Sequence, residues 1–280
     1  RLLAVTGVQT CALPILPTGG YIAGAGATVA LTAVLGAMSG RLPRFAALPL
    51  WQGLDRWPRM FTSYLGFLGL AGLLAIGFVG AADPLHNLLT LVFWTGIWIA
   101  LPFACMIFGN LWWGMNPWVA PVRALRGALG RRGSIGLSRV GHWPAVLGMA
   151  GFGWFQIVAL APQDPGILAR VLLVYWAVIL VLAVAEGEDW LEQGEFLTVF
   201  FTLIARIAPL WRERDGAQVR AFAGWPGAQV LRMAPLDLSQ MAFVVVTLGT
   251  LSFEGLSETF WWLGLIEENP LEFTGRSAVQ

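Results

Sequence analysis

The sequence predicts an all-α fold: a polytopic transmembrane helix bundle of about six spanning helices, plus one interfacial or re-entrant helix. Three observations carry this expectation. The 280 residues are 57% hydrophobic and 12% charged, about half the charge of an ordinary soluble domain, and mean hydropathy is +0.70. The apolar residues fall in uninterrupted runs close to the roughly 20 residues needed to cross a ~30 Å hydrocarbon core. Arginine, the sole basic residue type apart from two histidines, concentrates in alternate connections between those runs, as the positive-inside rule expects of a membrane protein. The charges nearly balance, 17 basic against 16 acidic, so nothing points to nucleic acid as a partner.

Taken from the start, residues 1–15 contain VTGVQTCALPI. Thr6, Gln9 and Thr10 interrupt any signal-peptide core, and the stretch is too short and polar for a span. It resembles the translation of a sequencing adapter. Residues 1–15, Cys11 included, are therefore expected to stand outside the fold, and 16–280 to form a single transmembrane domain truncated at both ends. Six runs are predicted to span: Tyr21–Met38, Tyr64–Gly80, Leu88–Phe108, Pro144–Leu160, Ile167–Ala185, and Met241–Phe253 extended by Phe260–Ile266. Arg41, Arg44, Arg56 and Arg59 follow the first run; Arg123, Arg126, Arg131, Arg132 and Arg139 follow the third. Asp83 and Asp164 mark the intervening connections. Both Arg-rich loops are predicted to be cytoplasmic. Region 186–239 stays on that side, because a span at Phe196–Leu210 would carry Arg206 in its middle and leave Arg212, Arg214, Arg220 and Arg232 outside. That segment is read as interfacial or re-entrant, with seven spans as the alternative.

Glu254 and Glu258 in SFEGLSETFWW are the strongest candidates for chemistry. Four residues apart, they share a helical face, and carboxylates at membrane depth are costly and usually functional; the alternative is that the helix ends near Phe253 and both face water. In FGNLWWGMNPW, Asn110 and the helix-breaking Asn116-Pro117 read either as a discontinuous helix lining a polar cavity or as a plain helix stop with Trp112, Trp113, Trp118 and Trp143 anchoring the interface. Glu188, Asp189 and Glu192 in EGEDWLEQGE are a candidate hard-cation site or a solvated face. Arg123, Arg126, Arg131 and Arg132 are candidates for anionic lipid headgroups. His86 and His142 fall on opposite sides of the membrane, Cys105 reads as a buried apolar residue, and no GxSxG, Walker A, HExxH or GxGxxG pattern occurs. Glycines 66, 69 and 72, and 148, 151 and 153, predict close helix packing.

The blocks GNLWWGMNPW, GEDWLEQGEFLTVFFTLIARIAPL and FEGLSETFWWLGLIEENPLEF together resemble a family of bacterial integral membrane proteins labelled fenitrothion hydrolase. The resemblance covers most of 17–275. It implies a multi-pass protein of the bacterial inner membrane, with Glu254 where the family has Asp, a change that keeps the carboxylate. Its label implies hydrolysis of an aryl phosphotriester, chemistry normally served by a metal-bound hydroxide, for which this sequence lacks the usual His and Asp set. Three functions are expected in order: permease-like handling of a small solute or ion, organophosphate ester hydrolysis, and a structural subunit whose Gly-rich faces meet a membrane-protein partner or a second copy. The bilayer is the expected partner, and the sequence assigns neither cofactor nor metal.

Overall fold

The computed structural model describes residues 47–54, 58–215, 218–230 and 233–257, with a few single positions between 26 and 34 and at 259 and 262. Residues 1–15, most of the first predicted span, Arg41, Arg44, Arg56, Arg232, Glu258 and most of Phe260–Ile266 lie outside the described residues. The chain divides into two units, Arg1–Ala46 and Ala47–Gln280; all that follows concerns the second.

That unit is mostly helical. Its elements are β1 (Leu48–Leu54), α1 (Arg59–Val79), α2 (Leu88–Phe108), α3 (Val119–Ala128), α4 (Trp143–Val158), α5 (Pro165–Glu186), α6 (Phe196–Ala205), β2 (Leu210–Asp215), β3 (Gln218–Ala223) and α7 (Leu238–Ser257). Four helices, α1, α2, α5 and α7, are long and apolar enough to cross a membrane. The run predicted at Pro144–Leu160 forms the shorter α4, of 16 residues. In the middle of α2, Val92–Ala100 is π-helical. Pro102, one residue past its C-cap, has no N–H to give to the preceding turn, which accounts for a widened ladder at that point.

The helices' outward faces are what set this unit apart from a water-soluble bundle. Phe61, Leu65 and Leu68 on α1, and Val171, Val174, Val178 and Val181 on α5, are exposed at helical spacing. Fewer than a quarter of the residues in each long helix's apolar window are buried inside the protein. Continuous apolar stripes of this length would be a liability in water and suit a hydrocarbon solvent. Packing between helices uses some of the predicted glycines. A Cβ on Gly66 would lie 2.1 Å from Met115 O, and one on Gly153 2.6 Å from Thr250 Cγ2, whereas Gly69, Gly72 and Gly151 face open space.

The all-α expectation needs correction. β1, β3 and β2 form an antiparallel sheet in that order, with Asp215 opposite Gln218 in the β2–β3 hairpin and a register shift in β1 between Pro49 and Trp51. Pairing of 48–54 with 218–223 requires both segments to lie at one end of the bundle, here called the sheet end. The loop that follows α3 and the C-terminus of α5 lie there too. Asp83, Asn87 and Asp164 cap helices at the far end through side-chain bonds to Leu85 N, Leu89 N and Ile167 N.

At the sheet end the basic loop folds back onto the C-terminus of α5. Arg126 donates to Val184 O (2.7 Å) and Gly133 O, and Arg131 to Ala185 O (3.1 Å), meeting carbonyls that have no partner within the helix. Glu186 accepts from the backbone N–H groups of Ile135, Gly136, Leu137 and Ser138 at 2.8–3.0 Å, and from Ser138 Oγ at 2.6 Å. Arg123 forms an ion pair with Glu188 (Nε–Oε2 2.9 Å). Three of the four arginines read as lipid-headgroup candidates thus bind this chain itself, and Arg132 is exposed.

Candidate functional site

The structure gathers a polar centre around α6, a helix that is otherwise nearly all apolar. Glu195, Thr198, Thr202 and Arg206 recur at spacings of three, four and four residues, so they lie along one side of the helix. Glu195 is the N-cap, its carboxylate accepting from Leu197 N (2.9 Å) and Thr198 N (2.6 Å). It also accepts from Thr198 Oγ1 (2.6 Å) and from the Tyr175 hydroxyl. The glutamate is 0% exposed, and no arginine or histidine pairs with it among the described residues.

Its depth follows from Tyr175, which stands eleven residues before Glu186, the last residue of α5. At 1.5 Å rise per residue this is about 16 Å of helix. After Glu186 the chain turns through Glu188–Trp190 and Leu191–Gly194, reaches Glu195 beside Tyr175, and runs back as α6 to the sheet. The chain thus enters the bundle and turns back within it. Phe196 to Phe201 are all buried, so α6 does not lie flat on an interface. Interrupted backbone at this depth is tolerated because protein surrounds it.

The second half of the centre comes from the NLWWGMNPW block. Asn116 Nδ2 donates to Thr198 Oγ1 (3.0 Å), and Trp112 Nε1 donates to the same oxygen (3.1 Å). Asn116 Oδ1 accepts from Trp118 N, and its carbonyl accepts from Ser63 Oγ (2.6 Å), which in turn takes Ala120 N–H (2.9 Å). One turn along α6, Asn110 Nδ2 donates to Thr202 Oγ1 (2.9 Å). Both predicted asparagines therefore meet the polar side of α6. Trp112 and Trp118, expected as interface anchors, are buried instead; Trp118 donates to Trp176 O (3.0 Å). Their indoles are core aromatics whose N–H groups found acceptors inside. Trp113 lies under the Arg59 and Arg214 guanidiniums, 4.2 and 3.5 Å from its ring centroid, and Trp143 is exposed.

The remaining candidates do not join this centre. Glu254, half-buried on α7, accepts from Gln156 Nε2 on α4, toward the far end, and Glu258 lies outside the described residues. Glu188 pairs with Arg123, and Glu192 sits 3.9 Å from Arg59, so the acidic run spreads over separate arginines. No group of three His, Cys, Asp or Glu side chains is arranged to hold a metal ion among the described residues. His86 contacts Asp83 at the far end (2.6 Å). His142, at the sheet end, lies 3.4 Å from Ser239 Oγ and 3.7 Å from Asp237. Burial pulls its pKa below the ordinary histidine value, Asp237 opposes this, and Arg206 adds to it. Bonds from Ser239 and Gln240, with His142 beside it, hold the Asp237 carboxyl low. Comparison of the chain with protein-family models, with curated proteins and with solved structures finds no match.

Chemically, the centre holds one ionisable group under opposed influences. Enclosure favours the neutral acid, while four donors favour the anion. Sequence reasoning had Glu195 only as one member of an acidic run. The signal that singles it out is the E-x-x-T-x-x-x-T-x-x-x-R spacing within an apolar segment.

Proposed function

We propose that this chain is a multi-pass protein of the bacterial inner membrane that handles a small solute or ion, permease-like, with Glu195 as its ionisable centre. One observation carries the reading: a carboxyl group wholly enclosed at the depth of Tyr175, at a break between helical segments, with no cation paired to it among the described residues. Ionisable groups in such settings mark ion and proton paths, and broken helices near mid-depth frame binding sites in many carriers. The polar side of α6 gives that group a route of hydroxyl and amide contacts from Glu195 past Thr198 and Thr202 to Arg206 at the sheet end. The Arg-rich sheet end is the cytoplasmic one by the positive-inside rule.

The test uses the full chain in proteoliposomes with a pH-sensitive dye inside and an imposed membrane potential. Wild type should admit protons faster than protein-free vesicles, and Glu195→Gln should reduce entry to the vesicle level. Tyr175→Phe should give an intermediate rate. Equal entry by wild type and Glu195→Gln, or no entry by wild type, would overturn the reading.

A further inference from the structure

The hydrogen bonds around Glu195 also bear on which ion the centre takes, an inference that rests on Glu195 being its ionisable group. A hard cation is held by several oxygen lone pairs converging on one point. The choice between a proton and a metal cation therefore turns on which lone pairs near Glu195 are uncommitted. A threonine hydroxyl has one hydrogen to give and two lone pairs with which to accept. Both lone pairs of Thr198 Oγ1 are taken, by Asn116 Nδ2 at 3.0 Å and by Trp112 Nε1 at 3.1 Å. Its hydrogen thus points at Glu195 Oε2, 2.6 Å away.

Neither donor to Thr198 can become an acceptor. An indole N–H only donates, and the Asn116 amide is oriented by Trp118 N, which donates to Asn116 Oδ1 at 3.0 Å. The Asn116 carbonyl accepts from Ser63 Oγ, and Leu191 O accepts from Glu195 N at 3.3 Å. What faces the carboxylate is a set of donors: Leu197 N, Thr198 N, Thr198 Oγ1 and the Tyr175 hydroxyl. The two N–H groups belong to the start of α6, the positive end of its dipole. Carriers that hold a sodium ion at a helix break use unwound carbonyls and the C-terminal ends of half-helices; here the N-terminal end of α6 meets the site.

We infer that Glu195 takes a proton and excludes alkali cations, with Thr198 as the residue that sets this preference. The proton goes to Oε1. Oε2 already accepts from Thr198 N and Thr198 Oγ1, and both are held in place, one by the backbone and one by its own two donors. Oε1 accepts from Leu197 N and from the Tyr175 hydroxyl, whose oxygen accepts no bond among the described residues. On protonation an O–H bond forms at Oε1, and its hydrogen is donated to the Tyr175 oxygen. Tyr175 keeps its own hydrogen and turns it aside. On release that O–H bond breaks and Tyr175 donates again. A proton displaces no heavy atom, whereas a sodium ion would have to displace Asn116 or Trp112 from Thr198.

Infrared spectra of the reconstituted full chain, taken in choline, sodium and potassium chloride at matched pH, test the assignment. The band of a protonated carboxyl, identified by its loss in Glu195→Gln, should have the same height in all three salts. Radiolabelled sodium should not bind wild type saturably. Asn116→Asp replaces the amide donor with oxygens and should bind sodium at least about tenfold more tightly than wild type, because ligand charge count tunes cation affinity. Trp112→Phe frees one lone pair without adding charge and should lie between the two. Loss of the band on adding sodium, absence of the band at every pH, or equal sodium binding by wild type and both variants would overturn the inference. A wild type with a salt-independent band that admits no protons into vesicles would defeat permease-like handling and leave the proton assignment standing.

Discussion

Glu186 and Glu195 lie nine residues apart, both are buried, and each accepts several hydrogen bonds. Their donors differ in kind. Glu186 takes four consecutive backbone N–H groups and one serine hydroxyl from the basic loop, next to arginines that meet the carbonyls of its own helix. It acts as a clasp that ties residues 135–138 to α5. Glu195 takes two N–H groups from its own helix and hydroxyls from Tyr175 and Thr198, with asparagine and tryptophan behind the threonine and no cation among the described residues. Backbone donors at a chain reversal hold an anion in place; hydroxyl donors in an enclosed site can rotate to serve either protonation state. The contrast separates an acid that shapes the fold from one that is equipped to change charge.

The largest expected effect comes from emptying the enclosed site. Glu195→Ala strands the Tyr175 hydroxyl and two N–H groups and should destabilise the detergent-purified protein by roughly 3–5 kcal/mol, the range for breaking a buried polar network. Glu195→Gln keeps the shape and one acceptor and should lose only about 1 kcal/mol. Thermal unfolding measures both, and equal losses would mean that charge, not connectivity, holds the site together. Next, Glu186→Ala should release the clasp. Amide exchange at residues 135–138 should rise several-fold while the centre of α5 stays protected; a global rise would make Glu186 a core residue and dissolve the contrast.

A smaller effect sets both glutamates against a pair formed where the start of α4 meets the start of α7, His142 and Asp237. His142 is pulled low by burial, so the folded state favours its neutral form. That contribution is complete above the unfolded histidine value near 6.5 and is lost as pH falls from there toward the lower folded value. Asp237, also held low, contributes above its unfolded value near 3.9 and loses this at more acid pH. The melting temperature of wild type should therefore begin to fall below pH ~6.5, and His142→Gln should remove that first decline. An unchanged decline in the variant would assign it elsewhere. Tyr175→Phe should cost as little as Glu195→Gln, about 1 kcal/mol for one hydrogen bond.

Much of the helical frame was legible because run length and charge are additive properties of local sequence. Leu88–Phe108 is a helix at the very bounds its apolar run suggests. The sheet was not read, although W-R-E-R-D-G-A-Q-V-R-A-F carries a two-residue Gly-Ala hairpin signal between alternating segments; its third strand, LPLWQGL, is specified by partners 164–175 residues away and has no local signature. Asn110 and Asn116 were singled out because a proline breaks the helix beside them, but their partner Thr198 was invisible until α6 was placed. Trp112 and Trp118 were misplaced for a related reason. Interface and core tryptophans have the same composition, and only the acceptors on Thr198 and Trp176 distinguish them. Glu195 was hidden by its neighbours, since five acidic residues within 186–195 read as one solvated patch until each finds its own partner.

The most direct test of a charge-changing centre is infrared difference spectroscopy of the reconstituted full chain as pH is stepped through the physiological range. A protonated-carboxyl carbonyl band that appears in wild type and is missing in Glu195→Gln would support the assignment, with Glu186→Gln retaining the band. Identical difference spectra for wild type and Glu195→Gln would contradict it.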